Sequence, residues 1–260
     1  MGGILVAVMR RYWVSKESIQ GSLVTFKDDV FHHIFDVCRQ DVGSHFEVLC
    51  GDQNAYLVEV TQVAKKSAQG KITETRKIPE IQKPHIHLAL SVSRFNVMDA
   101  VVEKAVEMGV LILHPYFSDY SFIKKDLPQA KIDRWNKIIL SATQQCGRGE
   151  LMKIEPAINL DELLKIFNQS PGHLGLFAYE GEARQDIQSY LRGFKAAHPK
   201  DPIENIWIFI GSEGGFSSQE VQKFQDLRLE SVTLGDQVLR VETACIALIS
   251  VLKYEFGLMK

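Results

Sequence analysis

Short runs of apolar residues, separated by turns, fill the first part of the chain. The runs lie at 12–14, 23–26, 46–49 and 56–60, and the predicted turn residues are Gly21, Gly43, Gly51 and Gly70. Closely spaced short strands with glycine turns are typical of a small β-barrel. One helical stretch, near 28–39, interrupts the strands. We therefore expect a β-barrel over residues 9–76.

After residue 84 the pattern changes to apolar strands that alternate with helices. The preceding segment 77–84 has two prolines and mixed charge and is predicted to be a linker. The predicted strands are 85–93, 110–114, 174–179, 206–210 and 231–234, and the predicted helices are 97–108, 131–146, 160–168, 185–197, 242–257 and one that begins at Ser217. Strands separated by helices predict an α/β domain with a parallel sheet over residues 85–260.

The composition is that of an ordinary globular protein. The chain has 260 residues, of which 45% are hydrophobic and 24% charged, so it can bury a real core. Its net charge of -2 and pI of about 6.5 lack the basic bias that is common in nucleic-acid-binding proteins. Any RNA-binding surface must therefore be a local cluster of basic residues.

Cysteine spacing and the length of the apolar runs exclude further classes of protein. Cys38, Cys50, Cys146 and Cys245 form no C-x-x-C pair, so we expect no metal site and four free, mostly buried thiols in a reducing compartment. No run approaches the ~18 apolar residues of a membrane helix, which predicts a cytoplasmic protein. The apolar residues 1–8 are interpreted as a mis-assigned start or an added remnant before Met9.

The first segment that indicates chemistry is the glycine-rich turn 211–215. It follows the apolar strand 206–210 and precedes a helix for which Ser217 and Glu220 form a capping box. Ligands of open α/β sheets bind at the carboxyl ends of strands, and glycines let the backbone approach them closely. The turn is neither a P-loop nor G-x-G-x-x-G. Glu213 disfavours a phosphate and favours a cationic or hydroxyl-bearing ligand; alternatively, the turn only reverses the chain.

The second segment, 234–245, again leads from a short strand through a loop into a helix. Arg240 and Glu242 stand at the helix entrance, where the helix dipole favours Glu242. Thr243 and Ala244 are small, so the helix can approach a ligand or another backbone closely. The alternative interpretation makes Arg240 and Glu242 a local ion pair of little energetic value and the small residues part of the core.

Together the two segments resemble the signature of the RsmE family, the 16S ribosomal RNA (uracil-N3)-methyltransferases of the SPOUT superfamily. Further stretches of this sequence resemble family motifs: 9–14, His33 with Arg39, 102–110, 134–135 and 142–148. The resemblance covers the chain from Met9 onward. The departures from the family pattern are Ser212 for proline, Met108 for leucine, Gln144 for glutamate, Arg94 for lysine and Val97 for a second basic residue.

The resemblance implies a fold, a cofactor and an assembly. We expect a SPOUT-type α/β domain with a trefoil knot, an N-terminal PUA-like RNA-binding barrel, and a homodimer with the active site near its interface. The knot loops would hold S-adenosylmethionine. The residues expected to bind this cofactor are Leu90, Ser91, Gly211, Glu213, Gly214, Gly215, Leu234, Gly235, Leu239, Arg240, Thr243 and Ala244.

The resemblance also suggests the catalytic and RNA-binding residues. Arg240 and Glu242 are the predicted catalytic residues. Loss of the N3 proton of uracil leaves negative charge on the flanking carbonyl oxygens, which the Arg240 guanidinium can stabilise with two donors. Glu242 and Thr243 are expected to orient Arg240 or contact the cofactor; a general-base role for Glu242 is less favoured, because the nearby arginine would lower its pKa. Contacts to 16S rRNA are expected from Arg10, Arg11, Arg39, Arg94 and Arg148.

Two other functions are weighed against this one. The chain could be a SPOUT methyltransferase that acts on another RNA or another atom, which the identity of the methylated nucleoside would reveal. It could instead be a non-catalytic RNA-binding ribosome-assembly factor, although the retained Glu213, Arg240 and Glu242 argue against this. A dinucleotide-dependent oxidoreductase is disfavoured because the glycine fingerprint is absent.

Overall fold

A computed structural model describes residues 9–170, 172–181, 185–198 and 202–259. Residues 1–8, which we interpreted as preceding the natural start, lie outside the described residues. The chain divides into two compact units. The N-terminal unit holds the described residues up to Glu80 together with Leu140–Leu151, a segment that the sequence pattern had assigned to the C-terminal domain. The C-terminal unit holds Ile81–Ile139 and the described residues from Met152 onward.

The N-terminal unit is built on a six-stranded sheet with the order β1-β4-β5-β6-β3-β2. The strands are β1 (Arg11–Trp13), β2 (Ile19–Gln20), β3 (Leu23–Lys27), β4 (His45–Leu49), β5 (Asn54–Val63) and β6 (Ser67–Lys77). All of its pairs are antiparallel except β1 with β4. Alternate residues such as Val24 and Phe26 of β3 are completely buried, as expected for strands with one face on a core.

A short helical segment packs against this sheet where the sequence predicts one. A 3-10 turn spans Lys16–Ser18, and helix α1 (Asp28–Phe31) continues directly into a π-helical turn at His32–Val37. Phe31, Ile34 and Phe35 point into the core of the unit. The predicted helix near 28–39 is therefore present, although only its first turn is α-helical.

The prediction of a turn at Gly70 is wrong. Gly70 lies inside β6, where it pairs with Val24 of β3 and Val60 of β5. A Cβ on Gly70 would lie 2.3 Å from the Val58 side chain. The glycine is therefore needed for close side-chain packing within the sheet, not for a change of chain direction.

The C-terminal unit contains a parallel sheet with the order β10-β8-β7-β13-β11-β14-β12, and β9 also pairs with β8. The strands are β7 (His85–Ser91), β8 (Ile112–Phe117), β9 (Lys153–Ile154), β10 (Ile158–Asn159), β11 (His173–Ala178), β12 (Gln185–Asp186), β13 (Asn205–Ile210) and β14 (Glu230–Thr233). The central strands β7 and β13 are almost continuously buried, as in sheets covered on both faces. This sheet confirms the predicted α/β class.

In the described part of the chain, five helices connect these strands and a sixth follows β14. They are α2 (Phe95–Glu107), α3 (Gln129–Cys146), α4 (Leu160–Gln169), α5 (Ile187–Ala197), α6 (Ser218–Asp226) and α7 (Val241–Glu255). Gly109 follows α2 with φ of 78°, which confirms the predicted glycine cap. The capping box of Ser217 and Glu220 at the start of α6 is also confirmed. None of the helices in the described part of the chain has the length and hydrophobicity that a membrane span requires.

The expectation of mostly buried thiols is wrong for three of the four cysteines. All four are free, but only Cys245, within α7, is buried. Cys38 and Cys50 are half-buried and Cys146 is exposed. The reason is their position, because Cys38 and Cys146 end helical segments and Cys50 follows β4, where neighbouring side chains cover them incompletely.

Candidate functional site

One cleft opens at the carboxyl ends of three adjacent strands, β11, β13 and β14, as expected for a ligand site in an open α/β sheet. We call it the glycine-turn cleft. Its lining residues are Ala178, Tyr179, Glu180, Ile210, Gly211, Ser212, Gly215, Phe216, Val232, Thr233, Leu234, Gly235, Asp236, Gln237, Val238, Leu239, Val241 and Ala244. Both chemistry-bearing segments of the sequence therefore contribute to the same site.

Half of the predicted cofactor-binding residues line this cleft: Gly211, Gly215, Leu234, Gly235, Leu239 and Ala244. The others lie elsewhere among the described residues: Leu90, Ser91, Glu213, Gly214, Arg240 and Thr243. Leu90 and Ser91 are completely buried in β7, next to β13 in the sheet. Their roles in cofactor binding stay predictions.

The glycines of the turn are required by its tight geometry. The backbone N–H of Gly215 donates to the carbonyl oxygen of Ser212 at 2.9 Å, and Gly215 has φ of 70°. A Cβ on Gly211 would lie 2.8 Å from the carbonyl oxygen of Gly215. Any side chain at position 211 would therefore force the turn open, which explains a glycine there on steric grounds alone.

Ser212, which stands where the family has proline, fixes the turn by a hydrogen bond. Its hydroxyl is buried and donates to the carbonyl oxygen of Tyr120 at 2.6 Å. Proline would restrict the backbone through its ring, whereas Ser212 ties the turn to the loop that follows β8. The hydrogen bond of Ser212 therefore fixes the turn in place of the proline ring.

Glu213 points to Arg94 and not into the cleft. The Arg94 side chain donates from Nε to Glu213 Oε1 at 3.0 Å, and the Arg94 backbone N–H donates to the same oxygen at 3.2 Å. Burial alone would raise the pKa of Glu213, but hydrogen bonds from its own backbone and from Arg94 lower it. Arg94, predicted to bind RNA, is thus paired with Glu213, predicted to bind the cofactor.

Arg240 stands at the N-terminus of α7, between the cleft-lining residues Leu239 and Val241. Its carbonyl oxygen accepts the N–H of Ala244 at 2.8 Å. Its side chain is exposed and has no hydrogen-bond or ion-pair partner among the described residues. The local ion pair with Glu242, considered as an alternative from sequence, is absent from the described structure. The guanidinium is therefore available to a ligand.

Several lining residues were missed by the sequence analysis, above all those that follow β11. Tyr179 and Glu180 line the cleft, and a Cβ on Gly215 would lie 2.9 Å from Glu180 Oε1. Their segment carries no recognisable motif. The available signal was positional, because β11 pairs in parallel with β13 and its end must reach the same edge.

A second site lies within the N-terminal unit and is called here the basic groove. It is lined by Met9, Arg10, Arg11, Tyr12, His33, Val37, Cys38, Arg39, Glu47, Ser141, Gln144, Gln145, Cys146 and Gly147. Three of the predicted RNA-binding arginines, Arg10, Arg11 and Arg39, are thus brought together. The groove joins residues that are distant in sequence. The net charge of the chain does not reveal such a cluster, because it sums over all residues wherever they lie.

The three arginines of the groove differ in how far they are engaged by the protein. Arg11 donates to Glu47 at 2.6 Å and to the carbonyl oxygen of Gly147, so it also holds the unit together. Arg10 donates to the carbonyl oxygen of Cys38 at 3.1 Å. Arg39 is exposed and has no side-chain partner among the described residues.

The remaining predicted RNA-binding residue, Arg148, does not line the groove. It is half-buried, and burial lowers the pKa of its guanidinium. Within the described ranges, no group of three or more His, Cys, Asp or Glu side chains could hold a metal ion.

Comparison with known proteins assigns a class to both units. A family model described as an RNA methyltransferase domain matches residues 80–253, and one described as an RNA methyltransferase PUA domain matches residues 26–73. The glycine-turn cleft lies in the first match and most of the six-stranded sheet in the second. The predicted combination of a PUA-like domain with an α/β methyltransferase domain is confirmed.

Similar proteins identify the family within this class. The chain is 30% identical to the ribosomal RNA small subunit methyltransferase E of Buchnera aphidicola, over 88% of this chain and 87% of that protein. It is 31% identical to the enzyme of the same name from Mesomycoplasma hyopneumoniae, over 78% of this chain and 83% of that protein. The chain belongs to the ribosomal RNA small subunit methyltransferase E family, as the sequence motifs predicted.

Solved structures agree with this assignment. The ribosomal RNA small subunit methyltransferase E of Neisseria gonorrhoeae, bound to S-adenosylmethionine, superposes with a TM-score of 0.80 at 25% identity and covers 95% of this chain and 97% of its own. A Legionella pneumophila protein solved with the same cofactor gives a TM-score of 0.81 at 26% identity, with the same coverage.

Proposed function

We propose that this protein transfers a methyl group from S-adenosylmethionine to N3 of a uridine in 16S ribosomal RNA of the small subunit. The observation that carries the proposal is the glycine-turn cleft, in which the two family segments meet at the carboxyl edge of the sheet. Support also comes from the relatives, which are named as small-subunit ribosomal RNA methyltransferases, and from the Neisseria structure with its bound cofactor.

The lining of the cleft fits S-adenosylmethionine chemically. The cofactor has an aromatic base, ribose hydroxyls and two positively charged groups, and supplies a methyl group on a sulfonium. Apolar side chains such as Ile210, Leu234 and Leu239 suit the base, and the close glycine backbone offers carbonyl oxygens and N–H groups. The carboxylates of Glu180 and Asp236 suit hydroxyls or positive charge and would repel a phosphate.

Arg240 is the residue that we assign to the reaction itself. Methyl transfer from a sulfonium is a single displacement, so the enzyme mainly aligns the nucleophile and stabilises the changing charge. The guanidinium of Arg240, which has no partner among the described residues, could donate to the uracil oxygens while the N3 proton passes to solvent water and S-adenosylhomocysteine leaves. Glu242, half-buried in the first turn of α7, would then orient the bound cofactor or base.

The basic groove is our proposed RNA-binding surface. Arg10 and Arg39 would contact phosphates, while His33, Gln144 and Gln145 supply groups that can hydrogen-bond or stack with unpaired bases. N3 lies on the pairing edge of uracil, so the target must be unpaired or flipped out when it reacts. The homodimer, the trefoil knot and the cytoplasmic location stay predictions.

Methyl transfer to ribosomal particles tests the proposal. Small subunits from a strain that lacks its own copy of the enzyme would be incubated with labelled S-adenosylmethionine, and the product nucleosides would be identified by mass spectrometry. We expect N3-methyluridine with the wild-type protein and its formation about 100-fold or more slower with Arg240→Ala. A different methylated nucleoside would favour a methyltransferase with another target. Absence of both transfer and cofactor binding would favour the assembly-factor function.

A further inference from the structure

Two exposed aromatic side chains lie on the loop that follows β8, one of them beside the glycine turn of the cleft. Tyr120 is 52% exposed and Phe122 is 55% exposed. Aromatic rings bury much apolar area when a fold allows it. Two of them exposed within three residues of chain therefore need an explanation, and none of the motifs discussed above includes them.

Their exposure is not the result of a loose loop. Hydrogen bonds hold the loop along its length: Asp119 N to Glu220 Oε1, Phe122 N to the carbonyl oxygen of Val92, Ser212 Oγ to the carbonyl oxygen of Tyr120, and Ser91 Oγ with Ser118 Oγ and Ser121 Oγ. All four of these serines are buried. The backbone is therefore pinned, and the two rings are held outward.

Tyr120 packs on the turn that lines the cleft. A Cβ on Gly214 would lie 3.0 Å from Tyr120 Cβ, so glycine at that position allows the close approach. Two other residues of the same turn, Ser212 and Gly215, line the cleft. The exposed tyrosine is thus adjacent to the site at which methyl transfer is proposed.

Positive charge accompanies the aromatic rings. Phe122 packs edge-to-face on Phe95 with ring centres 5.7 Å apart, and Lys131 Nζ lies 4.4 Å from the centre of the Phe95 ring. Lys124 and Lys125 follow Phe122 after one residue, Ile123, and are exposed. Aromatic rings next to lysines are the surface that single-stranded nucleic acid binds, because bases stack on the rings and phosphates pair with the cations.

We propose that Tyr120 and Phe122 form a stacking site for an unpaired base of the RNA substrate, close to the uridine that is methylated. This inference rests on the proposed function. Methylation at N3 requires the target uracil to leave its stack, which costs free energy. Stacking on the two aromatic side chains replaces part of the lost base stacking. It therefore lowers the free energy of the unpaired conformation of the RNA.

The test compares aromatic and non-aromatic variants in RNA binding. We would measure the Kd for a fluorescent single-stranded 16S rRNA fragment that contains the methylated uridine, and the KM for RNA in methyl transfer. The Tyr120→Ala, Phe122→Ala double variant should raise both the Kd and the KM for RNA by about tenfold or more. Tyr120→Trp should bind RNA at least as tightly as wild type. The matched control is Tyr254→Ala, which removes another highly exposed tyrosine in the C-terminal unit.

The affinity for S-adenosylmethionine distinguishes stacking from misfolding. It should be unchanged in the double variant, because neither ring lines the cleft. Wild-type RNA affinity in the double variant would overturn the inference, and a simultaneous shift in oligomeric state would show that the rings cover a protein interface. If the wild type binds RNA but transfers no methyl group, the proposed function fails. The comparison of RNA affinity between the wild type and the double variant then still shows whether the two rings bind RNA.

Discussion

The glycine-turn cleft and the basic groove present different kinds of atoms to a ligand. In the cleft, tight turns bring backbone groups close to the ligand, and the guanidinium of Arg240, beside the cleft, has no partner among the described residues. In the groove, the ligand meets long side chains, and Arg11 is already engaged with Glu47. A backbone site tolerates almost no substitution, whereas a set of long side chains loses affinity one contact at a time. We therefore expect large effects in the cleft and graded effects in the groove.

The largest effect is expected at Arg240. Loss of a group that stabilises developing charge typically costs about 10²–10³ in kcat, so Arg240→Ala should reduce turnover by that factor. Because the side chain does not line the cleft, the Kd for S-adenosylmethionine should change little. Single-turnover methyl transfer and calorimetric cofactor titration would measure the two quantities. Wild-type turnover in this variant would exclude Arg240 from the mechanism.

A slightly smaller effect is expected at Gly211. A methyl group there would lie 2.8 Å from the Gly215 carbonyl oxygen, and overpacking of this kind costs roughly 1–3 kcal/mol. Gly211→Ala should therefore raise the Kd for S-adenosylmethionine up to about 100-fold. Gly193→Ala is the matched control, because its Cβ would meet nothing within 4 Å. Equal cofactor affinity in both variants would show that the turn does not hold the ligand.

The two units should also differ in their response to acid. His87 and His114 are stacked in the C-terminal unit with their ring nitrogens 3.1 Å apart, and burial lowers the pKa of His87 to about 4 and that of His114 to about 3. Because both values lie below the ordinary 6.5, the stability of the unit is complete above that pH and is lost as the pH falls toward 3–4. At about 1.4 kcal/mol per pKa unit, each of the two histidines accounts for a loss of a few kcal/mol.

Denaturant unfolding at several pH values between 7 and 4, monitored by hydrogen exchange of peptides from each unit, would measure the difference in acid stability between the two units. The described histidines of the N-terminal unit, His32, His33 and His45, are exposed, so peptides of that unit should lose less protection. His114→Phe should reduce the pH dependence of the C-terminal unit. The same pH dependence in this variant would contradict the assignment.

The smallest effect is expected in the basic groove. Arg39→Ala removes one exposed contact to phosphate, so the KM for RNA should rise about tenfold while kcat and cofactor affinity stay unchanged. The slope of log affinity against log salt should also fall by about one. Lys66→Ala, an exposed lysine in the turn between β5 and β6, is the control. A large loss of kcat in Arg39→Ala would abolish the distinction between the two sites.

The cleft could be predicted from the sequence because its parts are continuous along the chain. A buried strand, a glycine turn and a capped helix are local features, and 206–220 shows all three. Gly211 and Gly215 are required by contacts within their own turn. Local geometry of this kind leaves a motif that can be recognised without knowledge of the rest of the fold.

The groove and the aromatic loop could not be predicted in this way. Arg10 and Arg39 meet only because β1 pairs with β4 and the π-helical turn packs beside them, and Gln144 comes from much later in the chain. Tyr120 is placed by Ser212, 92 residues away in sequence. Gly70 was misread for the same reason, because its role depends on the side chain of Val58. Contacts between distant segments leave no periodicity or motif.

The most direct test of the account is hydrogen exchange of the wild-type protein with each ligand in turn. We predict that S-adenosylmethionine protects the backbone amides of 211–216 and 234–240, and that single-stranded 16S rRNA protects those of 9–14 and 37–40. Cofactor protection confined to the N-terminal unit, or no protection of the glycine turn, would contradict the central claim that this turn holds the methyl donor.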